Sequence, residues 1–493
     1  MFAGNRTKRH FPESPFFEFL LVGFVAGAVI WAVSSEGRLP AFFSIVGLVL
    51  AGFYFLGNFE KVYIPFTIVV ILPLVVFLTA IHELQAFEVL VPVFFTLLIT
   101  RTAVSSSRGP GIRILPFAVI VFFALGLASY LRHPTLPTQV LGRVVAWGNF
   151  RNYWRFFLGL MIYVLVFHFF RSEHNQKMPV LVKLLFWLFI SGIILHLGMS
   201  FLQVETRSRA GFILADWGIS PPGQETTEII FQSWSLGWQS LFLFLILISF
   251  PTIPENKYLK GALLLICLIC IVLSGARSIL LAAAGSAIFL CWLKKQYLLV
   301  VIPTAVVLLI LMVSYAHPEI IYSLPPPARR VFTIFPSPEE YVHQEAVASA
   351  QVRVAWWQEA TEIISRRPFF GIGFEEIGLD PLYLRYADYA VRVGAAHNAY
   401  IATGVMMGFP GMVLLVWIFV LHLNRGVILA KNSREDFTKN LNVWLTLVLI
   451  SFNIMYLFAG SPQHLYRYLF YAGLINLNWY LETKERPAPA WSC

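Results

Sequence analysis

The sequence predicts an all-α polytopic membrane bundle of about 14 transmembrane helices, within a range of 12 to 14, with one long, partly helical loop on its outer side. Three observations predict it. Of the 493 residues, 58% are hydrophobic and 13% charged, where a soluble domain carries roughly 25% charged residues. Mean hydropathy is +0.72 over the whole chain. Apolar runs of about 20 residues, long enough to cross a hydrocarbon core, recur from end to end.

In order, the expected spans lie near 16 to 34, 39 to 57, 62 to 80, 84 to 100, 113 to 131, 152 to 170, 180 to 202, 231 to 250, 258 to 274, 277 to 293, 297 to 315, 397 to 422, 440 to 460 and 464 to 481. They organise the chain into an N-terminal transmembrane bundle over 1–315, a loop with amphipathic helices over 316–396, and C-terminal transmembrane helices with a short cytoplasmic tail over 397–493. The first run is followed by no small-residue cleavage site, and Arg6, Lys8 and Arg9 before it fix that end in the cytoplasm.

Alternating sides from that start assigns a face to every connection. All eleven lysines then fall inside or at an inner span end, while sixteen arginines and no lysine lie outside. Both termini are thus expected in the cytoplasm. A net charge of +10 distributed this way is a membrane topology signal, and it lacks the basic domain with interleaved aromatics that nucleic-acid binding needs. Guanidinium grips phosphate in a bidentate fork, so an arginine-rich outer face suits a diphosphate or acidic glycan. For any single arginine, lipid headgroups or neighbouring acids remain the alternative partners.

The 316–396 stretch far exceeds a usual connection, which marks it as functional or disordered. Its aromatics, among them Trp356, Trp357, Phe369, Phe370 and Phe374, argue for order. Ser337-Pro338-Glu339-Glu340 starts a helix. Val352, Trp356, Ala360, Ile363 and Ile364 then recur at helical spacing up to Pro368, an amphipathic stripe for lipid or for the bundle. Arg366 and Arg367 close that helix where cations suit its dipole. Gly371-Ile-Gly373 follows as a glycine turn, and the loop ends at His397-Asn398-Ala-Tyr400.

His397 is the candidate base, since imidazole is the side chain that titrates near neutral pH. Arg277, in Ser274-Gly-Ala-Arg277-Ser278, interrupts a long apolar stretch on the same expected face. The aspartates Asp216, Asp380, Asp388 and Asp436 form no Asp-x-Asp pair for a hard divalent cation. No Walker loop, zinc-ligand spacing or nucleophile elbow occurs. A metal-free and cofactor-free reaction with one base and several arginines is the expectation.

Over roughly 260 to 425 the sequence resembles the O-antigen ligase and O-antigen polymerase superfamily of bacterial lipid-linked glycan transferases. The features are the Arg277 hairpin, Arg353-x-x-Trp356, Pro368-Phe-Phe-Gly-Ile-Gly373, and His397-Asn398-Ala-Tyr400 leading to Gly404 and Gly411. The resemblance implies an enzyme of lipopolysaccharide or polysaccharide biosynthesis in the inner membrane, with its active site facing the periplasm. It implies an undecaprenyl-diphosphate-linked glycan donor, a glycolipid or glycan acceptor such as lipid A core or another lipid-linked repeat unit, and a metal-independent inverting transfer. By the same resemblance His397 is the general base, and Arg277 and Arg353 hold the diphosphate, with Arg366, Arg367, Asn398, Tyr400 and Trp356 as possible support. The competing expectation is a transporter or flippase of a lipid-linked sugar, which asks for ionisable groups deep in the spans and for repeated halves.

Overall fold

The computed structural model describes residues 62–75, 86–104, 115–132, 138–140, 143–145, 148–171, 173–201, 234–274, 276–296, 312, 357–358, 360–374, 398–458 and 465–485. These residues are helical apart from one short ribbon and the turns between helices. The expected spans 16 to 34, 39 to 57 and, apart from residue 312, 297 to 315 lie outside them, as does the helix start at Ser337.

The chain divides into two compact units, Met1–Pro73 with Leu78–Ser107, and Leu74–Phe77 with Arg108–Cys493. In the first, helices α1 (Tyr63–Val75) and α2 (Ala86–Val104) meet through an edge-on contact of Phe66 and Phe94. The second holds α3 (Phe117–Arg132), the antiparallel ribbon β1 (Thr138–Val140) and β2 (Arg143–Val145), α4 (Gly148–Arg171) and α5 (His174–Phe201). It continues with α6 (Trp234–Ser249), α7 (Lys257–Leu273), α8 (Arg277–Leu293), α9 over 360–366, α10 (Ala399–Asn432), α11 (Asp436–Phe458) and α12 (Leu465–Glu485).

By length and composition four described helices can cross a membrane: Asn152–Arg171, His174–Ile194, Ala399–Asn432 and Asp436–Phe458. The protein is an integral membrane protein. Leu265, Ile266, Leu268 and Ile269 on α7 are exposed, which suits a lipid boundary because hydrocarbon carries no penalty for apolar surface.

Two tight hairpins share a device at their lysine-bearing ends. Lys177 Nζ on α5 donates to the Phe169 carbonyl of α4 at 3.1 Å, and Lys260 Nζ on α7 donates to the Phe250 carbonyl just past α6 at 2.8 Å. Each ammonium sits at the negative end of the preceding helix and satisfies a carbonyl that has lost its helical donor.

The bundle core is aromatic, with Trp238, Phe242, Phe452 and Tyr471 in mutual contact between α6, α11 and α12. Small residues set the closest approaches. A Cβ at Gly126 of α3 falls 2.5 Å from the Phe156 ring of α4, and one at Gly285 of α8 falls 2.5 Å from Ile454 of α11.

Buried polar side chains join helices where no water competes. Ser286 of α8 bonds Ser451 of α11 at 2.8 Å, and Asn478 of α12 donates to Asn442 of α11 at 2.6 Å. His422 of α10 is fully buried. Its Nδ1 lies 2.7 Å from the Ile418 carbonyl and therefore carries the proton, leaving Nε2 to accept from the Tyr163 hydroxyl at 3.0 Å. Three residues on, Arg425 bonds Asn476 and lies over the Trp479 ring.

Candidate functional site

The expected span from 397 to 422 is not one straight helix. Its 399–407 part is a separate arm that folds back on the 409–432 part, and the two halves join at Gly408, whose φ of 75° and ψ of 179° lie outside the helical region. The Tyr400 and Phe419 rings are 5.5 Å apart, whereas nineteen residues of unbroken helix would separate them by about 28 Å. Thr403 lies opposite Gly411, and Gly404 opposite Met412. The crossing is left to 409–432, which at about 1.5 Å per residue still suffices.

The physical cause is Gly408-Phe409-Pro410. Pro410 has no N–H, so the Met406 carbonyl loses its i+4 donor. Phe409 N–H turns instead to the Pro368 carbonyl at 2.7 Å, which frees the Val405 carbonyl as well. The turn 368–374 fills both vacancies: Ile372 N–H donates to Val405 at 2.9 Å and Gly373 N–H to Met406 at 3.1 Å. Every main-chain group of the hairpin tip named here is thus satisfied, as burial requires.

Glycine is obligatory in this turn. Gly371 and Gly373 have φ of 61° and 84°, the left-handed region that side chains disfavour. A Cβ on Gly371 would also collide with the Val405 carbonyl, and one on Gly408 would sit 2.5 Å from the Pro368 oxygen.

Two anchors fix the turn to the bundle. Phe374 is fully buried against Tyr153 and Phe156 of α4. Ser129 of α3, also fully buried, has its hydroxyl 2.8 Å from the Phe370 carbonyl and 2.6 Å from the Met406 carbonyl. Before the turn, α9 turns Ala360 inward and lays Ile364 against Gly404 of the arm. At Ala360 and Ile364 the amphipathic stripe foreseen in the sequence therefore covers protein, while Val352 and Trp356 lie outside the described residues.

The arm begins at Asn398, 8% exposed, whose side-chain oxygen accepts from the N–H groups of Tyr400 and Ile401 at 3.0 and 3.1 Å. That is helix capping. Asn398→Ala is expected to destabilise the arm by about 1 kcal/mol while Asn398→Asp stays near wild type, measured as local hydrogen exchange over 399–407. Tyr400 donates to Asn453 of α11 at 3.1 Å, which places the arm's start beside the C-terminal turns of α11.

Arg277 opens α8 and is half-buried. The preceding Ala276 is extended and supplies no side-chain cap, so the first amides of α8 lack one. A cation here opposes the helix dipole, and helix stability therefore does not account for it. The α7–α8 tip can sit close to α6 because Gly237 has no side chain: a Cβ there would be 2.6 Å from Ser274 Oγ.

Arg366 and Arg367 stand exposed on α9, and Arg366 pairs with Glu362 at 2.5 Å, one helical turn back. Their exposure argues for a surface role. His397, Arg353 and Trp356 lie outside the described residues.

The structure brings Tyr400 and the α8 helix onto one turn of α11. Tyr400 meets Asn453, while Gly285 and Ser286 of α8 meet Ile454 and Ser451. Sequence reasoning missed Asn453, Ser129 and the arm itself. Gly408-Phe-Pro410 was the signal for the arm, whereas nothing local distinguishes Ser129 from other span serines.

Residues 262–416 match the family model described as O-Antigen ligase. The matched stretch contains most of α7, all of α8 and α9, the turn and the arm, and it stops before α11. No curated protein matches the chain.

Proposed function

We propose that this chain, which through residues 262–416 carries a domain of the O-antigen ligase and polymerase superfamily, transfers a glycan from an undecaprenyl-diphosphate donor to an acceptor hydroxyl. The site lies at the periplasmic face of the bacterial inner membrane, and the acceptor is lipid A core or another lipid-linked repeat unit. His397, which directly precedes the capped start of the arm, takes the acceptor proton as its oxygen attacks the anomeric carbon. Arg277 and Arg353 neutralise the departing diphosphate, and one direct displacement inverts the anomeric centre without a metal.

The observation that carries this reading is the convergence of the two matched elements, α8 and the arm, on residues 451–454 of α11. It sets the capped start of the arm, which follows His397 directly in the sequence, and the middle of α8, the helix that Arg277 opens, beside one turn of α11. Arg277 at the start of α8 fits the same picture, because a bound phosphate would meet both its guanidinium and the N-terminal end of the helix.

Deep ionisable groups were the mark of a transporter, and His422 is one. Both its ring nitrogens are committed to fixed partners in the bundle, which favours a structural duty over carriage.

The test is transfer from a purified undecaprenyl-diphosphate glycan in detergent with EDTA, offering lipid A core and lipid-linked repeat units separately. Turnover with either acceptor is expected and identifies ligase or polymerase. Donor binding with no transfer to either would overturn the reading. In the same assay Arg277→Lys is expected to cut kcat/KM by roughly tenfold or more, since an ammonium cannot reproduce a bidentate fork. Unchanged kinetics would remove Arg277 from the donor site.

A further inference from the structure

The arm touches its own crossing helix through small residues, and its tip is held from outside α10. Three main-chain hydrogen bonds fasten the turn 368–374 to the tip, so turn and arm behave as one piece. Phe374 anchors that piece to α4, and α3 holds it by hydrogen bonding at the tip itself. Ser129 places one hydroxyl between a carbonyl of the turn and a carbonyl of the arm, at 2.8 and 2.6 Å. One helical turn on, Arg132 lies over the Phe370 ring at 5.0 Å.

We propose that Ser129 is a positioning residue for glycan transfer: bridging Phe370 and Met406, its hydroxyl sets the height and tilt of the arm and thereby where the arm's N-terminal end is presented. This rests on the transferase reading above. The reasoning is one of leverage. A nine-residue helix spans about 13 Å, so a small rotation at its tip displaces its start by a comparable fraction of that length. A reacting group displaced by about 1 Å can lose up to a hundredfold in rate.

Alanine at 129 removes a hydroxyl and leaves a good helix former in α3, so the bundle is expected to fold. Hydrogen exchange on full-length protein in detergent reads the tether without any substrate. Ser129→Ala should speed exchange at Ile372, Gly373 and 399–407 while leaving 409–432 unchanged. Unaltered protection at the tip would overturn the tether.

Steady-state transfer reads the consequence. Ser129→Ala should lower kcat by roughly ten- to a hundredfold with donor KM unchanged, and Ser129→Thr, which keeps the hydroxyl, should recover most of it. A looser tip with wild-type kcat would overturn the positioning role, as would a folded Thr variant no better than Ala. Failure of the wild type to transfer to any acceptor would refute the transferase reading and this role with it, and the exchange experiment would still decide whether the tether exists.

Discussion

His397→Ala is expected to lose turnover by roughly two to four orders of magnitude, the range over which a positioned general base acts, while binding donor as tightly as wild type. A sugar hydroxyl is a poor nucleophile until its proton has somewhere to go. The diphosphate, by contrast, leaves as a stable anion and needs counter-charge more than protonation. Removing the imidazole therefore attacks one partner of the displacement and spares the contacts that hold the other. Donor binding measured beside single-turnover transfer separates the two. A variant that folds and turns over normally would exclude His397 as base, and one that loses donor binding would move it to the diphosphate site. Set against Arg277→Lys, which should be felt in donor affinity and rate together, the pair divides the chemistry between acceptor and donor.

Gly371→Ala is expected to unseat the tip of α10. At φ 61° an L-residue costs about 1 kcal/mol before any contact is counted, and here the new methyl group also points into the Val405 and Met406 main chain. Backbone on both sides leaves no flexible side chain to give way. The turn must then withdraw, and the hydrogen bonds from Ile372 and Gly373 go with it, for a local loss of about 3 kcal/mol or more. The crossing helices do not depend on those bonds. The expected outcome is normal insertion and a normal main unfolding transition, with proteolytic cleavage opened near 368–374 and transfer abolished. Gly408→Ala should behave alike, because its Cβ meets the opposite side of the same junction. Wild-type protease resistance in Gly371→Ala would mean that the turn does not close on the arm as described.

The membrane character of the chain was legible because hydropathy is additive along a sequence, and helices such as α11 and α4 follow directly from it. So were the turn at Gly371 and Gly373, and the end of α9 before Pro368, since each depends on what one or two residues can do with φ. The arm was less legible. The run 399–432 is largely apolar, and its pattern reads equally well as one long helix, because a face on lipid and a face on protein both take apolar side chains and the periodicity is blunted. Only Gly408 with Pro410 betrays the fold-back, and a proline inside a membrane helix more often bends it than reverses it. Ser129 lies 241 positions before the carbonyl of Phe370 and 277 before that of Met406. No local rule joins residues so far apart, and a serine that bonds its own helix is indistinguishable in sequence from one that reaches across.

The fold-back also bears on how the protein is made. Tyr400 finds its partner in Asn453, a residue synthesised after the entire 262–416 stretch. At nine residues the arm is too short to enter the bilayer as an independent segment, so it waits for a wall that does not yet exist. A chain halted between 432 and 453 carries every residue of the matched domain and offers the arm's first turn the Phe419 ring but not Asn453. The Tyr400 hydrogen bond arrives with α11, the penultimate described helix. The domain recognised in the sequence is thus an assembly kit whose final part is delivered from outside it.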